Sequence, residues 1–395
     1  MGVSPEKASL PSIPEVVRRL GWVSLFQDAA GDMVYPLLAP FLRSMGAGGA
    51  ALGALEAVSE GVSAVVKWRS GAWADRGDRK RLVVIGYAIA SVARPIIGFA
   101  VAPWQVIALR STDRIGKGVR SAPRDAMLAG AVDPAHRARA FGFHKMMDNA
   151  GAVLGPLMAF ALARFLSWTP RDIIKFSIVP GALAVLMLIF GVKDTAAPAK
   201  VEAKATTGDT SSIDPGAKRY LAALFVFTLG ASADSFLLLR LSKLGLTTAL
   251  IPIAWLSLNA VKAITNIPGG RLSDRFGHKS TIVVAWTLYA AVYALFPWMT
   301  SWASAWALML VYGMYYGLSE GGEKALIVEL VPAHQRGRAL GAMHALVGMA
   351  TVIANIGFGL LFDASAAAAF WTSAGFAMIG AVMLATSVPH PGEER

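Results

Sequence analysis

The chain has no cysteine, which excludes disulfides and thiolate metal sites. It is also short of charge. Only 16% of its 395 residues are Asp, Glu, Lys or Arg, where a soluble domain carries about a quarter. The six histidines (His136, His144, His278, His334, His344, His390) show no His-x-x-x-His or Glu-x-x-His spacing, so no metal site is expected. Nor does the chain carry a Gly-x-x-x-x-Gly-Lys-Ser/Thr loop, which leaves no recognisable ATP site and no expected cofactor. Met1 to Leu20 lack the apolar run and cleavage site of a signal peptide. Glu6 occupies the position where myristoylation at Gly2 needs Ser or Thr.

What is plentiful is apolar side chain: 55% of the residues, with mean hydropathy +0.53. It falls in blocks of roughly 20 to 25 residues, each long enough to cross about 30 Å of hydrocarbon as a helix. Punctuation by charge, Pro and Gly yields twelve spans: 20–43, 48–71, 82–101, 104–130, 139–164, 171–192, 220–242, 247–271, 280–298, 303–330, 339–361 and 366–387. The predicted fold is therefore an all-α membrane protein of twelve transmembrane helices in two six-helix pseudo-symmetric bundles. Its expected parts are residues 1–192, a polar cytoplasmic linker at 193–219, and residues 220–395. A net charge of +12 would suit a nucleic-acid partner. Here the basic residues gather in alternate loops (Arg76 to Arg81, Arg137 and Arg139, Arg275 and Lys279, Arg336 and Arg338), as in cytoplasmic loops of membrane proteins. Nucleic acid is thus not an expected partner. A multi-pass protein of the cell inner membrane with both termini cytoplasmic is.

The halves repeat. Gly71-Ala-Trp-Ala-Asp75-Arg76 matches Gly270-Arg-Leu-Ser-Asp274-Arg275, and Arg139-Ala-Phe-Gly142 matches Arg338-Ala-Leu-Gly341, both at an offset of 199 residues. Two pairs at one offset argue for internal duplication, and a duplicated bundle of this size is a transporter architecture with its solute site between the halves.

These residues resemble the major facilitator superfamily over essentially the whole chain. Its signature between spans two and three, Gly-x-Leu-Ala-Asp-Arg-x-Gly-Arg-Lys, is closely matched by Gly270 to Lys279. The copy from Gly71 to Lys80 departs, with Trp73 for Leu and the glycine displaced to Gly77. The resemblance implies a gating turn in which Asp75 and Arg76, and Asp274 and Arg275, latch helix ends. It also extends to Arg114-Ile-Gly-Lys117-Gly118 in span four. Gly151-Ala-Val-Leu-Gly155-Pro156 in span five looks like the motif associated with antiporters of the superfamily. Glycines four apart permit close helix approach, and the proline bends the helix.

Ionisable side chains within a bilayer are costly and mark solute or proton paths. Candidates on common helix faces are Asp28 and Asp32; Glu56, Glu60 and Lys67; Arg110, Asp113, Arg114 and Lys117; and His144, Lys145 and Asp148. Asp113 is expected to pair with Arg110 or Arg114, Lys145 with Asp148, and Glu56 to stand near the wet outer surface. The second half offers Asp234, Lys262, Glu320, Glu323 and Lys324. Arg124 and Glu323 are expected to meet across the halves at the cytoplasmic gate. Gly317-Leu-Ser319-Glu-Gly321 fits the nucleophile-elbow pattern, but that pattern requires a strand–turn–helix setting. No catalytic residue is assigned.

The expected activity is secondary active transport of a small solute by alternating access, with protons as the coupling ion and membrane lipid as the surroundings of a monomer. The basic excess of span four favours exchange of an anionic or zwitterionic solute against protons. The alternatives are a proton-coupled exporter of cationic or amphipathic drugs, favoured by the acidic and aromatic residues, and a transporter of divalent metal ions.

Overall fold

The computed structural model describes residues 13–76, 78–132, 137–192, 214–332 and 335–388, apart from the side chains at 68, 71–76, 137–139 and 337. Its first half consists of α1 (Glu15–Ser44), α2 (Gly49–Arg76), α3 (Arg79–Ile97), α4 (Pro103–Gly130), α5 (Arg137–Phe165) and a sixth span made of α6 (Pro170–Phe176), α7 (Ile178–Leu186) and a π turn. The second half comprises α8 (Pro215–Gly230), α9 (Ser235–Lys243), α10 (Ile251–Phe276), α11 (His278–Leu295), α12 (Trp302–Glu329), α13 (Arg336–Ala364) and α14 (Ala366–Ser387). Counting α6 with α7 and α8 with α9, these helices make the twelve spans of an all-α membrane fold, six to each half.

Among the described residues, eight of the spans are long and apolar enough to cross a membrane by length and composition alone. The remaining four include α1 and α4, the two helices with the most charge facing the molecule's centre. Sites that need water or solute inside a bundle dilute the apolar signal of the helices that carry them.

Span seven departs from the single helix expected over 220–242. It breaks between α8 and α9 at residues 231–234. The backbone groups freed there are taken up by neighbours: Tyr289 Oη donates to Gly230 O at 3.0 Å, and Ala233 N donates to Asn355 Oδ1 at 2.9 Å. Non-helical backbone at membrane depth persists only where such partners or a cavity satisfy it. Residues 193–213 of the expected linker lie outside the described residues, and its end is helical. Asp214 caps α8 by accepting from Gly216 N at 2.8 Å.

The gating motif also sits differently from a simple turn. Gly270 to Phe276 form the last turns of α10, and the chain reverses at Gly277, whose φ of 87° suits only a residue without Cβ. In the first copy Asp78 starts the next helix by accepting from Arg81 N at 2.9 Å. Gly71 lies in α2; the side chains of Asp75 and Arg76 fall outside the described residues.

The halves meet tightly at the end far from the termini. There the start of α2 crosses the end of α13: a Cβ on Gly49 would stand 2.8 Å from Gly359 O, and one on Gly53 would collide with Asn355 O. Asp363 accepts from Gly49 N at 2.5 Å and from Ala50 N at 2.7 Å. Arg43 of α1 donates to Ser242 O of α9 at 2.8 Å. At the termini end the halves do not cross in this way: among the described residues neither α4 nor α5 packs along α12 or α13, and Gly142, Glu320, Gly321 and Gly341 are exposed there.

Candidate functional site

Four helices of the first half aim charge at the centre. On α1, Asp28, Asp32 and Tyr35 share a face by their i, i+4 and i+7 spacing. On α4, Arg110, Asp113, Arg114 and Lys117 do the same, α2 adds Glu56 and Glu60, and α3 adds Arg94. α5 lines neither central cavity but fixes α1 in place. Gly155 lies so close that a Cβ would be 2.8 Å from Met33 N, and one on Gly151 would be 3.0 Å from Ala29 N. Pro156 follows inside α5. The glycine pair is thus the contact surface that seats the Asp28–Asp32 helix.

Two adjoining cavities occupy the centre, both bounded by Tyr35 and Arg114. The larger, about 350 Å³, runs between Glu56, Glu60, the break at Ala231 to Asp234, Tyr315, Tyr316, Glu323 and Asn355. The smaller, about 270 Å³, is lined by Asp28, Asp32, Arg94, Arg110, Asp113, Lys117, Arg120 and Trp255. Each draws on both halves of the chain. The site therefore lies on the interface along which the halves would move.

Ion pairing divides these charges. Asp113, 1% exposed, is held by Arg94 Nε at 2.8 Å and Arg110 Nη1 at 2.7 Å. Arg114 Nη2 pairs with Glu60 Oε1 at 2.9 Å. Arg94 also donates to the Gln27 carbonyl at 2.9 Å, and Arg110 lies 5.4 Å from the Tyr35 ring centroid. Lys117 stays exposed to the cavity, and no side chain among the described residues pairs with its ammonium. The Asp28 carboxylate faces the same cavity without a hydrogen-bond partner among the described residues. Asp32 accepts from Trp255 Nε1, on α10 of the other half, at 3.1 Å.

Several expectations change here. The second partner of Asp113 is Arg94, not Arg114, because α3 brings a buried guanidinium (4% exposed) to the other carboxylate oxygen. Glu56 is not wet: it is 3% exposed and accepts from Tyr35 Oη at 3.2 Å, since α13 covers that end of α2. Asp148 is met by His144 Nδ1 at 3.4 Å and by the Ser24 hydroxyl rather than by Lys145, so His144 and Asp148 form a knot between α1 and α5. Arg120, near the inner end of the same face of α4, is 3% exposed and sits over the Tyr87 ring at 4.3 Å. Glu320 and Lys324 line a separate cleft of about 300 Å³ between α10 and α12. Arg124 pairs with its neighbour Asp125 at 2.9 Å, while Glu323 accepts from Trp286 Nε1 at 3.0 Å in its own half and lines the larger cavity. The contact expected between them across the halves is not made in this open-ended conformation. Asp274 and Arg275 are exposed at the open end, with Arg275 over Phe276 at 5.3 Å.

Asp234 gains partners the sequence did not announce. Lys262 Nζ lies 2.5 Å from its Oδ2, and Tyr312 Oη donates to its Oδ1 at 2.7 Å. Arg94, Trp255 and Asn355 are the functional candidates that sequence reasoning passed over, while Tyr35, one of the aromatic residues that favoured the drug-exporter alternative, is placed between the two cavities. For Arg94 the signal was present, as an arginine inside the otherwise apolar third span. The elbow-like stretch Gly317 to Gly321 is continuous helix in α12, with Ser319 buried.

A multi-pass helical protein sealed at one end, open at the other and carrying a charged cavity between two halves has the build of an alternating-access transporter. A family model described as the Major Facilitator Superfamily matches residues 20–320 and 241–395. The chain belongs to that superfamily and is a secondary transporter, not an enzyme. It is 28% identical over 372 residues to an uncharacterised MFS-type transporter of Methanocaldococcus jannaschii, covering 92% of this chain and 93% of the relative. It is 26% identical over 303 residues to a probable 4-methylmuconolactone transporter of Cupriavidus pinatubonensis, covering 71% and 68%. Among solved structures, a bacterial homologue of the human lysosomal transporter Spinster matches with TM-score 0.71 at 17% identity, over 94% of this chain and 95% of that one. That likeness concerns the fold.

Proposed function

We propose that the protein exchanges an anionic or zwitterionic small molecule for protons, acting as a monomer in the cell inner membrane with both termini in the cytoplasm. The observation that carries this reading is Lys117. Asp113 is shared by Arg94 and Arg110, Glu60 pairs with Arg114, and Arg120 is buried over the Tyr87 ring, so among the described residues Lys117 is the exposed cation without a carboxylate partner at the wall of the smaller cavity. A solute carboxylate or phosphate would complete it.

Proton exchange follows from the same wall. Asp28 and Asp32 face the cavity that holds Lys117. A carboxylate facing a cation in a poorly hydrated site changes its proton occupancy when an anion binds or leaves. The Gly151–Gly155–Pro156 motif, through its resemblance to that of antiporters, supports antiport as the coupling. The basic loops support an orientation with the open end toward the cytoplasm, and with it a reading of the exchange as efflux. Membrane lipid surrounds the exposed apolar faces.

A second reading has its own support. The larger cavity carries Glu56, Glu60, Asp234 and Glu323 beside Phe227, Tyr315 and Tyr316, a lining suited to a cationic or amphipathic drug.

Reconstitution in liposomes with an imposed pH gradient tests the reading directly. Anionic and zwitterionic solutes are expected to accumulate against their gradient, and Asp32→Asn is expected to abolish the pH-driven part. Accumulation of organic cations alone would overturn the proposal in favour of the drug exporter.

A further inference from the structure

The second half holds an ammonium in a cage. Lys262 Nζ lies 2.5 Å from Asp234 Oδ2, 3.8 Å from the ring centroid of Tyr316 and 5.7 Å from that of Trp255. Tyr312 and Tyr316 orient the carboxylate by donating to Oδ1 at 2.7 and 3.2 Å. A carboxylate backed by aromatic faces is the chemistry that recognises an organic ammonium. Here the ammonium is the protein's own.

Its position argues against a plain structural pair. Buried ion pairs contribute little stability over apolar packing of the same volume, and this one stands where span seven is unwound. Asp234 forms the wall of the 350 Å³ cavity, with Tyr316 beside it. The neighbouring cavity, which shares Tyr35 and Arg114 with it, offers the unpaired Lys117. Acid with aromatics on one side and a free cation on the other form a bipolar site divided between the two halves.

We infer that the Asp234 cage is the ammonium subsite of the transported solute, with Lys262 as a resident occupant that the solute's amine displaces. The inference rests on the anion-or-zwitterion reading and selects the zwitterion. Lys262 keeps Asp234 paired while the transporter is empty, and its flexible stem lets it withdraw when an amine arrives. The cavity it withdraws into is lined by Glu56, Glu60 and Glu323. A solute bound to Lys117 through its acid and to Asp234 through its amine would bridge the halves.

Equilibrium binding of propylammonium, a stand-in for a lysine side-chain tip, tests the cage in the purified full-length protein. Lys262→Ala is expected to bind it at least about tenfold more tightly than either the wild type or Lys262→Ala/Asp234→Asn. Binding by Lys262→Ala no tighter than by the double variant overturns the cage. A second measurement needs no variant. Wild-type protein in liposomes is expected to move an amino-carboxylate with kcat/KM at least about tenfold above its deaminated counterpart. Equal rates for the two solutes overturn the subsite even if propylammonium binds. Transport of alkylammonium solutes with no carboxylate moved, together with tight propylammonium binding by Lys262→Ala, supports the cage and overturns the anion reading instead.

Discussion

The indole N–H of Trp255 donates to the carboxylate of Asp32 at 3.1 Å across the interface between the two halves. Trp255 also packs its ring 4.7 Å from that of Tyr35, one helical turn beyond Asp32. A single residue of α10 thus reads both the charge on α1 and the aromatic wall shared by the two cavities. The bond links the state of a carboxylate to the arrangement of the halves.

Trp255→Phe separates these roles, since phenylalanine keeps an aromatic ring but has no donor. A hydrogen bond to a charged group contributes about 1.5–3 kcal/mol, and each 1.4 kcal/mol is tenfold in a population. The variant is expected to lower the population of the open-termini conformation by about tenfold or more. Spin-label distances between the termini ends of α4 and α12 would measure it. An unchanged distance distribution would show that the bond does not bias the halves.

Asp113 and Glu60 are both ion-paired, yet their removal should differ sharply. The Asp113 side chain is 2% exposed and serves two arginines that are themselves buried, whereas the Glu60 side chain is 39% exposed. Breaking a buried pair leaves uncompensated charge and costs about 3–5 kcal/mol. An exposed pair is worth about 0–1 kcal/mol. Asp113→Asn is therefore expected to reduce thermal stability in detergent strongly and Glu60→Gln hardly at all. Equal losses would mean that the Arg94–Asp113–Arg110 cluster is not a structural centre.

The twelve spans and the duplication were legible because they depend on features local to the chain: runs of apolar residues and motifs at a fixed offset. The break in span seven was not, because residues 231–234 carry no proline and their backbone is satisfied by Tyr289 and Asn355, more than 50 residues away. The faces of α1, α2 and α4 were readable from their i, i+4 spacing. Pairing across helices was not. Sequence order offers Arg110 and Arg114, on the same helix, as partners of Asp113; Arg110 is one, but the fold supplies the second, Arg94, from α3. The Asp234 site was underestimated for the same reason. Its tyrosines look like ordinary apolar residues of α12 until Lys262 of α10 is set against them.

The far-end seal rests on backbone contact rather than on side-chain packing. A Cβ on Gly53 would collide with Asn355 O and lie 3.3 Å from the Cα of Gly359. Gly53→Val places a branched side chain there, and a β-branched residue in a helix has little rotamer freedom with which to avoid the clash. The variant is expected to hold the far end ajar and to reduce flux at least about tenfold, the equivalent of 1.4 kcal/mol against the sealed state. The cysteine-free chain allows a clean assay: Thr351→Cys, which lines the larger cavity, should become labelled from the side opposite the termini. Unchanged labelling would place the gate elsewhere.

Lys117 offers the sharpest separation of binding from folding. Asp113, Arg94 and Arg110 hold one another, so changing any of them alters stability and function together. Lys117 has no partner to abandon among the described residues, and its exposure to the cavity means that little packing is lost with it. Lys117→Gln is therefore expected to leave thermal stability within about 0.5 kcal/mol of the wild type, as for substitutions that touch no packed or paired group. A charge-assisted contact to a solute anion is worth about 1.5–3 kcal/mol. Its loss should raise KM for anionic solutes by at least about tenfold, with much less change for solutes that lack the acid. Lys117→Arg should restore most of the affinity, since it returns the positive charge to the same cavity wall. A fall in stability equal to that of Asp113→Asn would mean that Lys117 is part of the structural cluster after all. An unchanged KM in a stable protein would move the anion subsite to Arg114, whose pairing with the half-exposed Glu60 is the next easiest to break.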